Sequence, residues 1–380
     1  MNRRWRIIER AIKSSGRGRN WGHKADLLEL LGRPQEAFAA YEKGIAVSRI
    51  NKSDYAYGYT HIYQYFCRKR AFEEGIAWFE SKMGELLTEE QRIKNLGRVR
   101  IFYLKLKNWP KAMETLERMY GSTTLKDFVC RSWKEECSRI DDLLDAYQFW
   151  LSNEELDEKA QEAAALMEHW EEFKPEGNPE TEKVIHEGKR EVYMQIAYCY
   201  TDYLLDDETG IFYFEKALEH ARLAGDETED DDYRRIIHNI MGCLWHLGRT
   251  QEAIHYRRLY LRNLAKEYEE CADLGKSLED MYLQARNGRL NSYYLFQLEF
   301  FCGNYERAAE LLEFMDCTHW CWHCRQKECS DTWECKGYMA LIRGQKEEAI
   351  RCFEQAVACA LDRNDQASCE LRRLYLEKER

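Results

Sequence analysis

Cys317, Cys321, Cys324, Cys329 and Cys335 follow one another with the spacing C-x3-C-x2-C-x4-C-x5-C. Thiolates are soft ligands, zinc takes about four of them in a tetrahedron, and a C-x2-C step is a common knuckle that supplies two. Cys321 and Cys324 form that step. Cys329 with either Cys335 or Cys317 would complete the set, and His319 and His323 are spare donors. Four protein ligands leave no open position for water, so a zinc ion held there would be structural and not catalytic. It would fasten the helix ending near Met315 to the helix carrying Trp333, across a stretch with few aliphatic residues to pack. Two other readings stay open. The thiols could be small buried apolar groups. Cys321 and Cys324 could be a redox pair, but such a pair belongs after a strand in a strand–helix–strand unit, and no such pattern exists here.

No other chemistry assembles in the sequence. It has no G-x4-G-K-[ST], G-x-G-x-x-G, G-x-S-x-G or H-E-x-x-H signature. His23, His61, His186, His220, His238, His246 and His255 are scattered along helical segments without a supporting triad. The expectation is a chain that is not an enzyme.

The positioning elements repeat. Trp333, Gly337, Gly344, Ala349, Phe353 and Ala356 stand at offsets 0, 4, 11, 16, 20 and 23. Trp21, Ala25, Gly32, Ala37, Tyr41 and Gly44 keep the same offsets. The phrase Leu31-Gly32-Arg33-Pro34-Gln35-Glu36-Ala37 returns as Leu247-Gly248-Arg249-Thr250-Gln251-Glu252-Ala253, and shorter forms begin at Gly303 and Gly344. Weaker copies lie at Gly75–Phe79, Ala112–Leu116 and Gly210–Ala217, with one more at Ala163, Met167 and Trp170. This pattern resembles the tetratricopeptide repeat, in which small residues let the two helices of a pair approach and large ones fill the gap to the next pair. Lys336 and Ala340 depart from its usual Leu and Tyr. The resemblance implies an all-α, right-handed α-solenoid of about eight stacked helix pairs. Glycine in the left-handed conformation would end each first helix. The chain has only 4 prolines, which suits helix.

The anchors Ala37, Gly75, Ala112, Ala163, Gly210, Ala253, Ala308 and Ala349 are 38, 37, 51, 47, 43, 55 and 41 residues apart, more than the family period. Longer helices or inserted loops would account for this. Lys174-Pro175-Glu176-Gly177-Asn178-Pro179 stops helix. The expected organisation is repeats over 1–173, a linker at 174–181, further repeats over 182–316, and the Cys-rich segment with a last repeat over 317–380. The acidic run Asp226–Asp232 would favour the N-terminus of the helix after it.

The net charge of -11 argues against broad binding to nucleic-acid phosphate. The first residues are an exception, with Arg3, Arg4, Arg6, Arg10, Lys13, Arg17, Arg19 and Lys24 facing only Glu9. They read as a solvated face or a tail paired with the acidic remainder, and alternatively as a contact for nucleic acid or anionic lipid. No apolar run approaches the roughly 20 residues that cross a bilayer. No signal segment is visible, so the cytoplasm is the expected compartment, with reduced thiols.

Stacked helix pairs present a concave surface lined by first helices, so the expected function is a scaffold or adaptor that binds a protein or peptide segment. Tyr57, Tyr59, Tyr63, Arg98, Arg100, Tyr198, Asn239, Asn291 and Tyr294 are its candidate lining residues, with core packing as the competing role. The alternative is a regulatory sensor of a peptide signal that modulates another protein. Size and helical repetition loosely resemble the peptide-pheromone sensors of Gram-positive bacteria, although no helix-turn-helix domain fits before Trp21.

Overall fold

The computed structural model describes residues 18–51, 55–86, 88–127, 132–169, 182–225, 231–267, 288–317 and 329–360, with single backbone positions at 9 and 12. Among them every long element is an α-helix and no strand occurs. The chain divides into two compact units, Met1–Gly121 and Ser122–Arg380.

The first unit holds three helix pairs: α1 (Gly18–Leu30) with α2 (Pro34–Asn51), α3 (Tyr55–Lys69) with α4 (Phe72–Lys82), and α5 (Glu89–Lys105) with α6 (Trp109–Tyr120). The second holds five. These are α7 (Trp133–Tyr147) with α8 (Asn153–Glu168), α9 (Glu182–Tyr198) with α10 (Asp207–Ala224), α11 (Asp231–His246) with α12 (Thr250–Glu267), α13 (Gly288–Phe301) with α14 (Tyr305–Cys317), and α15 (Ser330–Ile342) with α16 (Lys346–Cys359). Each unit is built as an all-α repeat solenoid, and the described pairs number eight as the repeat pattern implies.

A small residue at the fourth position of the second helix sets the register. Ala37, Gly75, Ala112, Gly210, Ala253, Ala308 and Ala349 all stand there and are buried. The fourth pair departs from the expected register. Its fourth position is Leu156, 1% exposed, whose N–H donates to the Ser152 carbonyl at 2.9 Å. The expected anchor, Ala163, lies two turns further along α8. The alanine run Ala163-Ala164-Ala165 mimics the anchor, while a leucine occupies the true position. The interval from Ala112 to this anchor is therefore 44 residues and not 51. The expected linker at 174–181 lies outside the described residues.

First helices end as their sequence predicts. Gly32, Gly248, Gly303 and Gly344 carry φ between +70° and +81°, a left-handed corner that glycine adopts without a Cβ clash. Three other corners use Arg70, Lys107 and Leu205 at φ +52°, +56° and +57°. A side-chain-bearing residue held there costs of order 1–3 kcal/mol. Leu205 is also preceded by a π-helical turn, Cys199–Leu204, that no periodicity in the sequence announces.

Aromatic rings fill each core. In the first unit Phe102 is fully buried and meets Phe66, Phe72 and Phe79 at 6.4, 5.9 and 6.0 Å. In the second, Tyr338 lies between Trp245, Phe300 and Phe353 at 5.6, 5.1 and 5.8 Å. Each such buried ring contributes about 1.5–3 kcal/mol. Within α7, fully buried Arg139 pairs with Glu136 and donates to the Thr124 and Leu125 carbonyls at 2.8 and 3.0 Å. A buried charge needs such partners, and here they fix the chain around Thr124 and Leu125 against the helix.

Candidate protein-binding face

First helices of the second unit bring polar side chains from consecutive pairs together. Asn239 of α11 donates from Nδ2 to the Tyr198 hydroxyl of α9 at 2.8 Å. Asp232, in the first turn of α11, pairs with Arg235 at 2.7 Å and with Arg190 of α9 at 3.1 Å. His238 packs edge-on against Tyr294 of α13, ring centroids 5.8 Å apart. The Arg235 side chain is 54% exposed, the most open cation of the group.

The electrostatics bind these groups into one face. Burial, against the opposing pull of Arg235, pushes the Tyr198 hydroxyl up to about 12, and Asp202 and Asp232 add to the rise. Burial opposes the charge on Arg235, yet Tyr198, Asp232, Tyr294 and Asp141 together hold its affinity for the proton above the usual value. Burial also raises Glu191 above the ordinary carboxylate range. Asp141 and Asp145 on α7 and Asp202 on the π-helical turn act on the Cys199 thiol, which burial pushes up to about 12. The face is thus predominantly acidic, with Arg235 as a cation set among carboxylates.

Of the residues expected to line a binding surface, Tyr198, Asn239 and Tyr294 meet here. Tyr59 does not belong to a surface. It is 1% exposed and packs on Trp78 and Phe79 in the first unit's core, because an aromatic ring facing the next helix pair gains more from burial than from solvent. Tyr63 is half-buried and stacks on Phe102 at 5.2 Å. Arg98 donates to Thr60 at 2.9 Å and to Asn95 at 2.5 Å, lies 5.9 Å from the Phe79 ring, and is lowered to about 10 by burial. Arg100 is buried. The side chains of Tyr57 and Asn291 lie outside the described residues. Arg235, Asp232, Asp141 and Asp202 were missed by sequence reasoning. Their signal was present: acidic residues on first helices of neighbouring pairs, which share one face of the stack.

Cys317, Cys321 and Cys324 have side chains outside the described residues. Cys329 precedes α15 and is 2% exposed, with its sulfur 3.9 Å from the Thr332 hydroxyl. Cys335 sits within α15, fully buried. Among the described residues no group of three or more potential ligands gathers. Other buried thiols are poor nucleophiles, since burial raises Cys302 and Cys352 to about 11 and Cys137 well above its ordinary value.

Helix hairpins stacked in register define a helix-hairpin repeat protein. Residues 18–51, the first hairpin, match the tetratricopeptide repeat family. No curated protein matches it. Similar solved structures include a variant of a Podosopora anserina putative kinesin light chain with nearly identical TPR-like repeats, at 14% identity over 61% of this chain and 96% of that one, TM-score 0.42. The TPR domain of P58(IPK) is 12% identical over 98% of this chain and 92% of that one, TM-score 0.22. A chain of the Naa15/Naa10 assembly bound to HypK-THB is 15% identical over 98% and 64%, TM-score 0.23. This repeat fold is in general a non-catalytic one that mediates protein interaction. No described helix is long and apolar enough to cross a membrane.

Proposed function

We propose that the chain is a non-catalytic scaffold that binds a basic peptide or protein segment on the first-helix face of its second unit. The observation that carries this reading is the meeting of Tyr198, Asn239, Asp232, Arg235 and Tyr294 from three consecutive pairs, with Asp141, Asp145 and Asp202 beside them. Tyrosines supply contact area with few rotatable bonds, and the carboxylates attract a cationic segment and align it. Arg235 would donate to a main-chain carbonyl or to the segment's own carboxylate. An acidic face and a net charge of -11 make encounter fast at low salt and weaker as salt rises. The proposed compartment is the cytoplasm.

The test is to isolate a partner from native lysate, map its contact segment, and measure its affinity for the parent and for Tyr294→Ala and Arg235→Glu. The expected result is a loss of about tenfold or more in each folded variant, as truncation of an interface anchor gives. A partner whose affinity is unchanged in both variants overturns the reading, and so does a reproducible catalytic activity that maps to the repeats.

A structural zinc ion in the Cys-rich segment is proposed on the sequence, with Cys321, Cys324 and Cys329 as ligands and either Cys335 or Cys317 as the fourth. Elemental analysis of the parent should find about one zinc per chain, lost in Cys321→Ser/Cys324→Ser. Equal metal content in the two, or none in the parent, rejects the site.

A further inference from the structure

The corners that join first to second helices in the second unit carry an unusual load. Leu205 holds the left-handed conformation that glycine holds in four other corners, and its side chain is 52% exposed. Two unfavourable choices therefore coincide, backbone strain and an aliphatic group in water. The turn leading into it is π-helical, a form often found at functional positions. Nearby stands a second exposed apolar residue. Phe149 meets Tyr203 edge to face at 5.2 Å, which joins the α7–α8 corner to the π-helical turn. Trp150, next in sequence to Phe149, is 50% exposed. The next corner continues the same edge, because Arg249 pairs with Glu208 at 2.9 Å and His246 with Asp207 at 3.3 Å. There Leu247 is 37% exposed. Three successive corners thus present Trp150, Leu205 and Leu247, interleaved with the carboxylates of Asp202, Asp206, Asp207 and Glu208.

We propose that this corner edge is a second docking surface, distinct from the first-helix face, and that it takes a basic amphipathic segment of a partner protein. The apolar side chains of that segment would rest on Trp150 and Leu205, and its arginines or lysines would meet the intervening carboxylates. Charge decides the occupant. A membrane surface or nucleic acid is anionic and would be repelled by these carboxylates. A segment combining apolar and cationic side chains satisfies both components of the edge. The proposal rests on the reading of the chain as a scaffold but uses different residues, apart from Asp202, which borders both surfaces.

The test uses the full chain and a fluorescein-labelled synthetic peptide in which leucine and tryptophan alternate with arginine. Two controls replace its apolar residues by serine, or its arginines by glutamate. The decisive variant is Leu205→Gly, since glycine accepts the left-handed corner, so Tm should hold or rise while the anchor disappears. Trp150→Ser removes the other exposed anchor. The expected result is measurable binding to the parent, loss with either control peptide, and a weakening of about tenfold in each variant with helicity unchanged. Absence of binding to the parent overturns the proposal, as does binding that survives Leu205→Gly and Trp150→Ser. Self-association of the parent that Leu205→Gly abolishes also overturns it, because the occupant is then a second copy. Weakening by Arg235→Glu and Tyr294→Ala but not by the corner variants sinks this proposal alone and leaves the first-helix face standing.

Discussion

His220 shows how far a single side chain can be taken from its ordinary behaviour by its neighbours. Its Nδ1 lies 2.9 Å from Nδ1 of His186, and its ring stacks on Tyr193 at 5.5 Å and 3°. Burial lowers it to about 4, with help from the positive charge of Lys189, from His186 and from Lys216. A neutral pair can share one proton across this contact, one nitrogen donating and the other accepting. Because the folded protein holds the proton less tightly than the unfolded chain, whose histidine titrates near 6.5, protonation favours unfolding. The stability from neutral His220 is complete above about pH 6.5 and is lost as pH falls toward about 4. Thermal melts across that window should show a fall in Tm that is shallower in His220→Gln. Parallel pH profiles in parent and variant would remove His220 from the account.

Gly337 and Gly242 make a second contrast at this scale. A Cβ on Gly337 would stand 2.8 Å from the Phe353 ring, whereas on Gly242 it would meet Phe301 no closer than 3.6 Å. Both lie inside helices, where alanine is favoured by about 1 kcal/mol. Gly242→Ala should therefore be neutral or stabilising. Gly337→Ala should lose about 1–3 kcal/mol to overpacking, partly offset by that propensity. Denaturant unfolding of the two variants separates the effects, and equal shifts would contradict the close approach.

Among the elements, α8 and the π-helical turn mark where sequence and structure part. Seven of the eight second helices were legible because a small residue at the fourth position has a packing cause that repeats. In α8 that residue is Leu156, and an alanine run further along supplied a false anchor. The start of α8 is fixed by a capping box, Ser152-x-x-Glu155. The Ser152 hydroxyl accepts from the Glu155 N–H at 3.3 Å, and the Glu155 carboxylate accepts from the Ser152 N–H at 2.9 Å. Ser152→Ala should cost about 1 kcal/mol in denaturant unfolding. No measurable change would mean that packing at Leu156 fixes the helix start alone. The π-helical turn had no such signature, since one extra residue per turn does not alter hydrophobic periodicity over so short a span. The leucine at its corner is no sign either, since Arg70 and Lys107 hold other corners without a π-helical turn. The acidic run before α11 was legible as a helix start, but not as the source of Asp232 for the Arg190 and Arg235 pairs, which depend on a neighbouring hairpin.

Across the whole molecule, repeats make stability local. The first unit's core runs from Ala25 to Phe102 through residues of that unit alone. In a repeat protein each hairpin is stabilised chiefly by its neighbours, so a cavity in one should loosen those beside it and fade with distance along the chain. Phe102 is the sharpest place to apply this. Its ring is fully buried and meets Tyr63, Phe66, Phe72 and Phe79, while Gly75 leaves room for it. Truncation to alanine removes all of these contacts and should cost about 3–5 kcal/mol. Hydrogen exchange should then speed up in the amides of α3 to α6, while α13 to α16 keep the protection of the parent. Equal loss in both groups would require the chain to open as one cooperative body, and nearest-neighbour stabilisation would not describe it. A loss confined to α5 would instead mean that each hairpin stands alone, contrary to the Phe102 contacts with α3 and α4.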